Sequence, residues 1–230
     1  MILCVVGTGT DVGKTHVSRT LLHAASETHA SLGLKPIETG VPRGSREGAD
    51  AKALREAARA AFVETGALTF VDPISPHLAA RDTGASIDVD AIVVTLERAI
   101  AASTASFVLV ESAGGLFSPL GDTTTNLDLA SRMVARFAAK VVLVAPNRIG
   151  VLHDVSATVR AARAASLALP FVALSSTSAI DPSQSSNAAE LSRLGIARDV
   201  VTFPRSEFDS RESAQAALAC LTALGWGPRR

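Results

Sequence analysis

The fold of this chain is decided by the stretch Gly7-Thr8-Gly9-Thr10-Asp11-Val12-Gly13-Lys14-Thr15. It follows the apolar run Ile2-Leu3-Cys4-Val5-Val6 and precedes a helical pattern, an order that is typical of a phosphate-binding loop. Backbone N–H groups of such a loop point at phosphate oxygens, and the helix adds the positive end of its dipole. We therefore expect Lys14 to reach the β- and γ-phosphates of a nucleoside triphosphate and the Thr15 hydroxyl to bind Mg²⁺.

The composition indicates a globular protein without a strong electric field. The chain has 230 residues, of which 47% are hydrophobic, and we predict one domain over residues 1–230. Lys plus Arg equals Asp plus Glu at 22 each, so we expect neither a nucleic acid nor a membrane as a partner. No apolar run reaches the ~18 residues of a membrane span, and no leader pattern is present. These observations predict a cytoplasmic protein.

The two cysteines lie near opposite ends of the chain. Cys4 falls in the first apolar run, and Cys220 falls on the apolar face of the last helical pattern. Buried thiols in such positions behave as small hydrophobic side chains. We therefore expect both to be structural rather than redox partners.

Strand-like and helix-like segments alternate along the whole chain. Continuously apolar segments predict strands at 2–6, 32–35, 107–111, 140–145, 170–175 and 199–203. Helical patterns occupy 14–26, 49–62, 88–102, 126–139, 151–167, 183–194 and 211–223. Buried strands joined by helices form parallel sheets. The predicted fold class is therefore α/β, a single-domain phosphate-loop fold whose mostly parallel sheet is covered by helices on both faces.

Ligands of such folds lie beyond the carboxyl ends of the strands, where this chain has several polar residues. Glu111 ends an apolar strand, so it is either a metal-site acid or a solvated strand-end acid. Lys35 lies at the carboxyl end of a strand that we expect to be central, so it either faces a ligand or is an ordinary surface lysine. Asp50 either completes a magnesium site or caps the helix that begins there. Gly150 precedes a helix and either binds a carboxylate or forms an ordinary turn.

Together these segments resemble the dethiobiotin synthetases, a family of phosphate-loop ligases of biotin synthesis. In the loop at 7–15, Gly7 lies one position further from Gly13 than the first glycine does in the usual phosphate-binding loop, and the family shares this longer spacing. Lys35-Pro36-Ile37-Glu38-Thr39-Gly40 resembles its substrate loop, and Ser75-Pro76-His77 has a counterpart at a similar place. Val110-Glu111-Ser112-Ala113-Gly114-Gly115-Leu116, followed by Pro119-Leu120, is the closest match after the loop. The four segments occur in the family's order, and the resemblance as a whole covers most of the chain.

The resemblance implies an enzyme that forms a cyclic urea, a cyclo-ligase. Its substrates would be 7,8-diaminopelargonate, CO2 and ATP, and its products dethiobiotin, ADP and phosphate. Mg²⁺ is the implied cofactor. Members of the family are homodimers whose substrate sites lie at the subunit interface.

The family's roles are carried over by position. Lys35 and Lys14 would be catalytic, Lys35 holding the substrate carbamate and Lys14 stabilising the phosphoryl group. Thr15, Asp50 and Glu111 would bind the metal. The diamine substrate would contact Lys35, Thr39, Gly150, Val151 and Leu152, the last three through backbone N–H groups that serve the neighbouring subunit. The nucleotide would contact Thr10, Asp11, Val12, Gly13, Lys14, Thr15, His16, Asp50, Glu111, Gly114, Ser175 and Pro204.

Some positions depart from the family pattern. An Asn-containing segment that commonly reads adenine is replaced by Leu174-Ser175-Ser176-Thr177, so triphosphates other than ATP stay open as co-substrates. His77 could serve as an acid or base, but a structural or substrate-wall role at a helix start fits its apolar surroundings better.

Two alternative functions from other classes remain open. Partition and septum-positioning ATPases of the ParA and MinD type carry a lysine five positions before the loop lysine, where this chain has Gly9. Small-molecule kinases usually close an arginine-bearing lid over the phosphates. Arg43 and Arg46, in the 41–48 loop, keep that alternative open. A phosphorylated product would identify a kinase, and free phosphate with a cyclic urea would identify the ligase.

Overall fold

The structure is a computed structural model that describes residues 1–45, 47–61, 66–179 and 181–227. The strands are β1 (Ile2–Gly7), β2 (Ser31–Leu34), β3 (Ile37–Thr39), β4 (Leu68–Phe70), β5 (Phe107–Glu111), β6 (Lys140–Asn147), β7 (Phe171–Ser176) and β8 (Asp199–Phe203). The helices are α1 (Lys14–Ser26), α2 (Ala49–Ala57), α3 (Pro76–Asp82), α4 (Val89–Ala101), α5 (Asn126–Phe137), α6 (Val151–Ala164), α7 (Asn187–Arg193) and α8 (Arg211–Ala223).

Six strands form one parallel sheet in the order β2-β5-β1-β6-β7-β8. Successive side chains of β1 enter two different cores: Leu3 and Val5 pack on one face, and Cys4 and Val6 pack on the other. Burial on both faces explains why the strands read as continuous apolar runs. The predicted α/β class is confirmed. Because β1 lies between β5 and β6, the phosphate-binding loop begins in the middle of the sheet.

The sheet order corrects one expectation about Lys35. Its strand β2 is an edge strand and not a central one, and β2 ends at Leu34, so Lys35 lies one residue beyond it. Two three-residue strands, β3 and β4, pair in parallel as a separate sheet that the sequence did not predict. The seven-residue helix α3 was not predicted either, although it places His77 at a helix start.

Three predicted helices end two or more residues earlier than expected, and each ends one or two residues before a non-glycine residue with a left-handed backbone. Helix α2 stops at Ala57 and not at 62, a position outside the described residues, because Arg59 has φ 52°. Helices α5 and α6 are likewise shortened by Ala138 at φ 50° and Ser166 at φ 64°. Glycine usually fills such positions, so the sequence carried no stop signal. The predicted helix at 183–194 divides into a 3-10 turn, Pro182–Ser185, and α7.

Both cysteines are buried and unpaired, as expected. Burial raises the pKa of the Cys4 thiol to about 12 and raises that of Cys220 as well. Such thiols stay protonated and unreactive at neutral pH. Among the helices in the described part of the chain, none is long and apolar enough to cross a membrane.

Candidate active site

The phosphate-binding loop connects the end of β1 to the start of α1. Gly13 precedes the helix with φ 91°, and a Cβ atom there would overlap the Ser175 hydroxyl, so both conformation and space require glycine. Asp11 also has a positive φ, 55°. The Leu116 N–H donates a hydrogen bond of 2.8 Å to the Gly7 carbonyl, which ties the loop to the segment after β5. The Thr8 N–H donates a hydrogen bond of 2.9 Å to the Val144 carbonyl in β6, so the loop is held from both sides of β1.

Lys14 is the first residue of α1, and its side chain folds back over the loop. Its Nζ donates a hydrogen bond of 3.1 Å to the Gly9 carbonyl, and only 7% of the residue is exposed. Burial, assisted by repulsion from Lys35, lowers the pKa of Lys14 to about 8. A bound anion would favour the charged ammonium. Lys14 is therefore placed to respond electrostatically to phosphate.

Four polar side chains meet at the carboxyl end of the sheet. The Lys35 ammonium lies 2.7 Å from Glu111 Oε1 and 2.8 Å from Asp50 Oδ2. The Thr15 hydroxyl lies 3.0 Å from both Asp50 Oδ1 and Glu111 Oε1. Glu111 ends β5 and is 0% exposed. The cluster thus joins residues from α1, α2, β5 and the segment after β2.

The charges in this cluster stabilise one another. Burial alone would lower the pKa of Lys35, but the Glu111 and Asp50 carboxylates outweigh it, and the pKa is raised. Burial would likewise raise the pKa of Asp50, but the Lys35 ammonium and the Thr15 hydroxyl outweigh it, and the pKa is lowered. Lys35 is therefore a cation and Asp50 an anion at neutral pH.

The oxygen atoms of this cluster fit Mg²⁺, which prefers oxygen ligands and usually keeps several waters. Thr15, Asp50 and Glu111 contribute one hydroxyl and two carboxylates. Glu111 Oε2 is buried and has no hydrogen-bond partner among the described residues. Such an atom is costly to bury unless a cation or a donor meets it. No set of three His, Cys, Asp or Glu side chains in the described ranges forms a metal cage, so phosphate and water would complete the coordination.

Two adjacent cavities bring most predicted residues together. The first, of about 400 Å³, is lined by Thr10, Asp11, Gly13, Lys14, Thr15, His16, Lys35, Glu38, Thr39, Asp50, Glu111, Ala113 and Gly114. The second, of about 440 Å³, is lined by Asp11, Val12, Gly13, His16, Pro146, Ser175, Ser176, Thr177, Ser178 and Arg205. Pro204 adjoins them, because its carbonyl lies 2.7 Å from His16 Nε2. The cavities share part of the phosphate-binding loop, as a nucleotide spanning both would require.

The predicted carboxylate-binding group lies apart from these cavities. Gly150, Val151 and Leu152 begin α6 and line neither of the two. The Val151 N–H already donates to the Arg148 carbonyl at 3.1 Å. His77 also lines neither cavity. Its Nδ1 lies 2.9 Å from the Ser75 hydroxyl.

Sequence reasoning missed Glu38, which is buried and lines the first cavity between Lys35 and Thr39. Its carboxylate accepts hydrogen bonds from the Asp50 and Ala51 N–H groups. The signal was an acidic residue inside the quoted substrate loop. It was not recognised because the strand that carries it has only three residues. Arg205, in the second cavity, was also missed.

Comparison with known proteins identifies the family. A family model described as an AAA domain matches residues 2–204. The ATP-dependent dethiobiotin synthetase BioD of Anaeromyxobacter sp. (strain K) is 37% identical over 206 residues, covering 88% of this chain and 89% of that protein. The ATP-dependent dethiobiotin synthetase BioD 1 of Escherichia coli O157:H7 is 36% identical over 171 residues, covering 72% and 73%. The chain belongs to the dethiobiotin synthetase family. The resemblance seen in the phosphate-binding and substrate loops is confirmed.

Solved structures show how widely the dethiobiotin synthetase fold is shared. The MinC:MinD cell division protein complex of Aquifex aeolicus contains a chain with a TM-score of 0.52 at 13% identity, covering 100% of this chain and 98% of that one. A ParA family ATPase from Chlorobium tepidum TLS has a TM-score of 0.52 at 11% identity, covering 99% and 94%. At these identities the similarity concerns the fold alone.

Proposed function

We propose that this member of the dethiobiotin synthetase family closes the cyclic urea of dethiobiotin from 7,8-diaminopelargonate and CO2 at the expense of ATP. The main support is the buried Lys35 ammonium, which contacts Glu111 and Asp50 next to the phosphate-binding loop. A reaction that joins an anionic carbamate to a triphosphate needs a fixed cation between them. Lys35 lines the same cavity as Lys14 and meets this need.

The chemistry divides into three steps. One amine of the substrate takes up CO2 as a carbamate, and a carbamate oxygen attacks the γ-phosphorus, which releases ADP. The second amine then attacks the carbonyl carbon and displaces phosphate, which closes the ring. Lys35 would donate hydrogen bonds to the carbamate, because its raised pKa keeps it an ammonium. Lys14 would stabilise the transferring phosphoryl group, and both lysines hold the reactants in line.

Thr15, Asp50 and Glu111 would hold Mg²⁺. Their oxygen atoms lie together, and the buried Glu111 Oε2 has no hydrogen-bond partner among the described residues, which supports that role. Bound Mg²⁺ neutralises charge on the β- and γ-phosphates. Lys35 also contacts both carboxylates, so it would keep the carbamate next to the metal-binding side.

The remaining assignments belong to the same proposal. The loop residues from Thr10 to His16, with Gly114, would bind phosphates, while Ser175 and Pro204 would adjoin the base of ATP or of another triphosphate. Thr39 would contact the diamine. Residues 1–230 would act as one cytoplasmic domain that forms a homodimer, in which the segment from Gly150 to Leu152 binds the substrate carboxylate in the partner's site. Sedimentation at the mass of two chains would support the dimer, and a monomer that turns over at full rate would refute it.

The test is phosphate release by the purified protein with ATP, Mg²⁺ and bicarbonate, with and without 7,8-diaminopelargonate. The proposal predicts release that depends on the diamine, together with dethiobiotin detected by its mass. A slow release that ignores the diamine would favour a regulatory ATPase instead. A phosphorylated diamine without free phosphate would identify a kinase.

A further inference from the structure

Helix α2 begins without a capping side chain of its own. Its N-cap residue is Gly48, and the N–H groups of Asp50 and Ala51 in the first turn need acceptors. The Glu38 carboxylate supplies them: Oε1 accepts from Asp50 at 2.7 Å and Oε2 accepts from Ala51 at 3.1 Å. These are the two N–H groups that an N-cap side chain would ordinarily bind. The cap of α2 therefore comes from β3, ten positions earlier in the chain than Gly48.

Gly48 and Glu38 form a matched pair. Gly48 has φ −83° and ψ 177°, an extended conformation that any residue can adopt, so backbone geometry does not require glycine there. A Cβ atom on Gly48, however, would overlap the carboxyl group of Glu38. Glycine thus leaves the space that an N-cap side chain would fill, and the carboxylate of Glu38 occupies it.

This cap lies against the metal-binding side of the site. Asp50 donates its backbone N–H to Glu38, while its side chain contacts Lys35 and Thr15. Glu38 itself lies between Lys35 and Thr39 in the substrate loop. The buried carboxylate of Glu38 therefore connects the substrate loop to the backbone of Asp50, whose side chain belongs to the proposed metal site.

We propose that Glu38 is a positioning residue that caps α2 in place of a local side chain and so fixes Asp50 for Mg²⁺. The inference rests on the proposed magnesium role of Asp50. Glu38 acts through the backbone of α2, and both of its oxygen atoms already accept hydrogen bonds from that backbone. The negative charge at a helix N-terminus adds a favourable dipole interaction.

The test compares single and double variants by Mg²⁺ titration of the binding of a fluorescent ADP analogue, mant-ADP. Glu38→Ala removes the cap, and Glu38→Gln keeps the volume but only one acceptor. Glu38→Ala with Gly48→Ser places a capping hydroxyl at Gly48 and clears the space for it. Asp88→Ala is the matched control, because Asp88 Oδ1 caps α4 by accepting from the Asp90 and Ala91 N–H groups, and Asp88 lines neither site cavity.

For Glu38→Ala we expect the Mg²⁺ concentration at half-maximal binding to rise roughly tenfold, the factor that corresponds to one lost helix cap. Glu38→Gln should show a smaller rise, of roughly threefold. The double variant should return to within about twofold of the parent protein, because serine restores a local cap. Gly48→Ser alone should also raise the Mg²⁺ concentration at half-maximal binding, because the serine side chain collides with Glu38. Asp88→Ala should lower the thermal unfolding midpoint and leave the Mg²⁺ concentration at half-maximal binding unchanged.

An unchanged Mg²⁺ midpoint in Glu38→Ala would overturn the inference. So would a double variant no better than Glu38→Ala, because Glu38 would then act by direct ligand contact. Dethiobiotin formation, measured separately on the parent protein, tests the proposed reaction, since mant-ADP binding requires no turnover. A parent protein that binds mant-ADP with Mg²⁺ but makes no dethiobiotin would refute the ligase and still report on Glu38.

Discussion

Replacing Lys35 with methionine removes the ammonium but keeps an apolar stem of similar length. Glu111, which is 0% exposed, then loses its cation at 2.7 Å. Removing one partner of a buried ion pair costs about 3–5 kcal/mol, and the Thr15 hydroxyl that stays on Glu111 favours the lower end. The Asp50 side chain is 39% exposed, so the second ion pair is screened by solvent and adds little. We therefore expect Lys35→Met to lower the unfolding free energy by about 3 kcal/mol.

The assay is urea and thermal unfolding of the ligand-free protein, with and without Mg²⁺. A loss of about 3 kcal/mol lowers the Tm of a chain of this size by roughly 6 to 12 °C. Mg²⁺ should restore more stability to Lys35→Met than to the parent protein, because the two carboxylates no longer share their charge with the lysine. Turnover should be abolished while the fold is kept.

Lys52→Met is the matched control, because Lys52 lies 3.8 Å from Glu56 on the surface with 60% of its side chain exposed. Its effect on the unfolding free energy should stay below about 1 kcal/mol. If Lys35→Met is as stable as Lys52→Met, or if Mg²⁺ raises the Tm of variant and parent equally, the buried ion pair of Lys35 and Glu111 does not stabilise the fold. Near-normal turnover by Lys35→Met would refute its proposed catalytic role.

Three further outcomes are expected. Lys14→Ala should abolish turnover and weaken ADP binding more than Lys35→Met does, measured by calorimetry; equal losses would contradict the division of roles. Gly13→Ala should eliminate nucleotide binding, because φ 91° and the Ser175 hydroxyl both exclude a Cβ atom, and binding within about threefold of the parent would contradict this. The pKa of Lys14 is about 8 in the folded protein and 10.5 for an unperturbed lysine, so the unfolded chain holds more protons between these pH values. Lys14 should therefore make ligand-free stability increase from about pH 8 to 10.5, an increase that Lys14→Ala lacks, while ADP affinity decreases as the pH rises through about 8.

The sequence predicted the parts of the fold whose signals are local. The apolar run of β1, the phosphate-binding loop and the start of α1 at Lys14 follow one another without interruption, and the structure has them at the expected residues. The order of strands depends on how crossovers pack, which no local pattern records. For that reason β2 was expected at the centre and lies at the edge. The ends of α2, α5 and α6 were missed because Arg59, Ala138 and Ser166, which have positive φ just beyond them, are not the glycines that usually mark such positions.

The candidate site could be predicted where a residue follows a long strand. Glu111 ends β5, and Lys35 follows β2, so topology alone brings both to the carboxyl edge of the sheet. Asp50 was left between metal binding and helix capping. In the structure its side chain contacts Lys35 and Thr15, whereas its backbone N–H is capped by Glu38. That arrangement depends on a three-residue strand and on the space beside Gly48, neither of which a periodic pattern reveals.

In the proposed reaction a carbamate oxygen attacks the γ-phosphorus beside Lys35, and oxygen labelling distinguishes this attack from attack by water. The enzyme is supplied with ATP, Mg²⁺, 7,8-diaminopelargonate and ¹⁸O-labelled bicarbonate in unlabelled water, for a time short enough to limit exchange with the solvent. We expect the released phosphate to carry one ¹⁸O atom for each dethiobiotin formed, and this label to vanish without the diamine. Unlabelled phosphate released in the presence of labelled bicarbonate would show that water, and not the carbamate, attacks the γ-phosphorus.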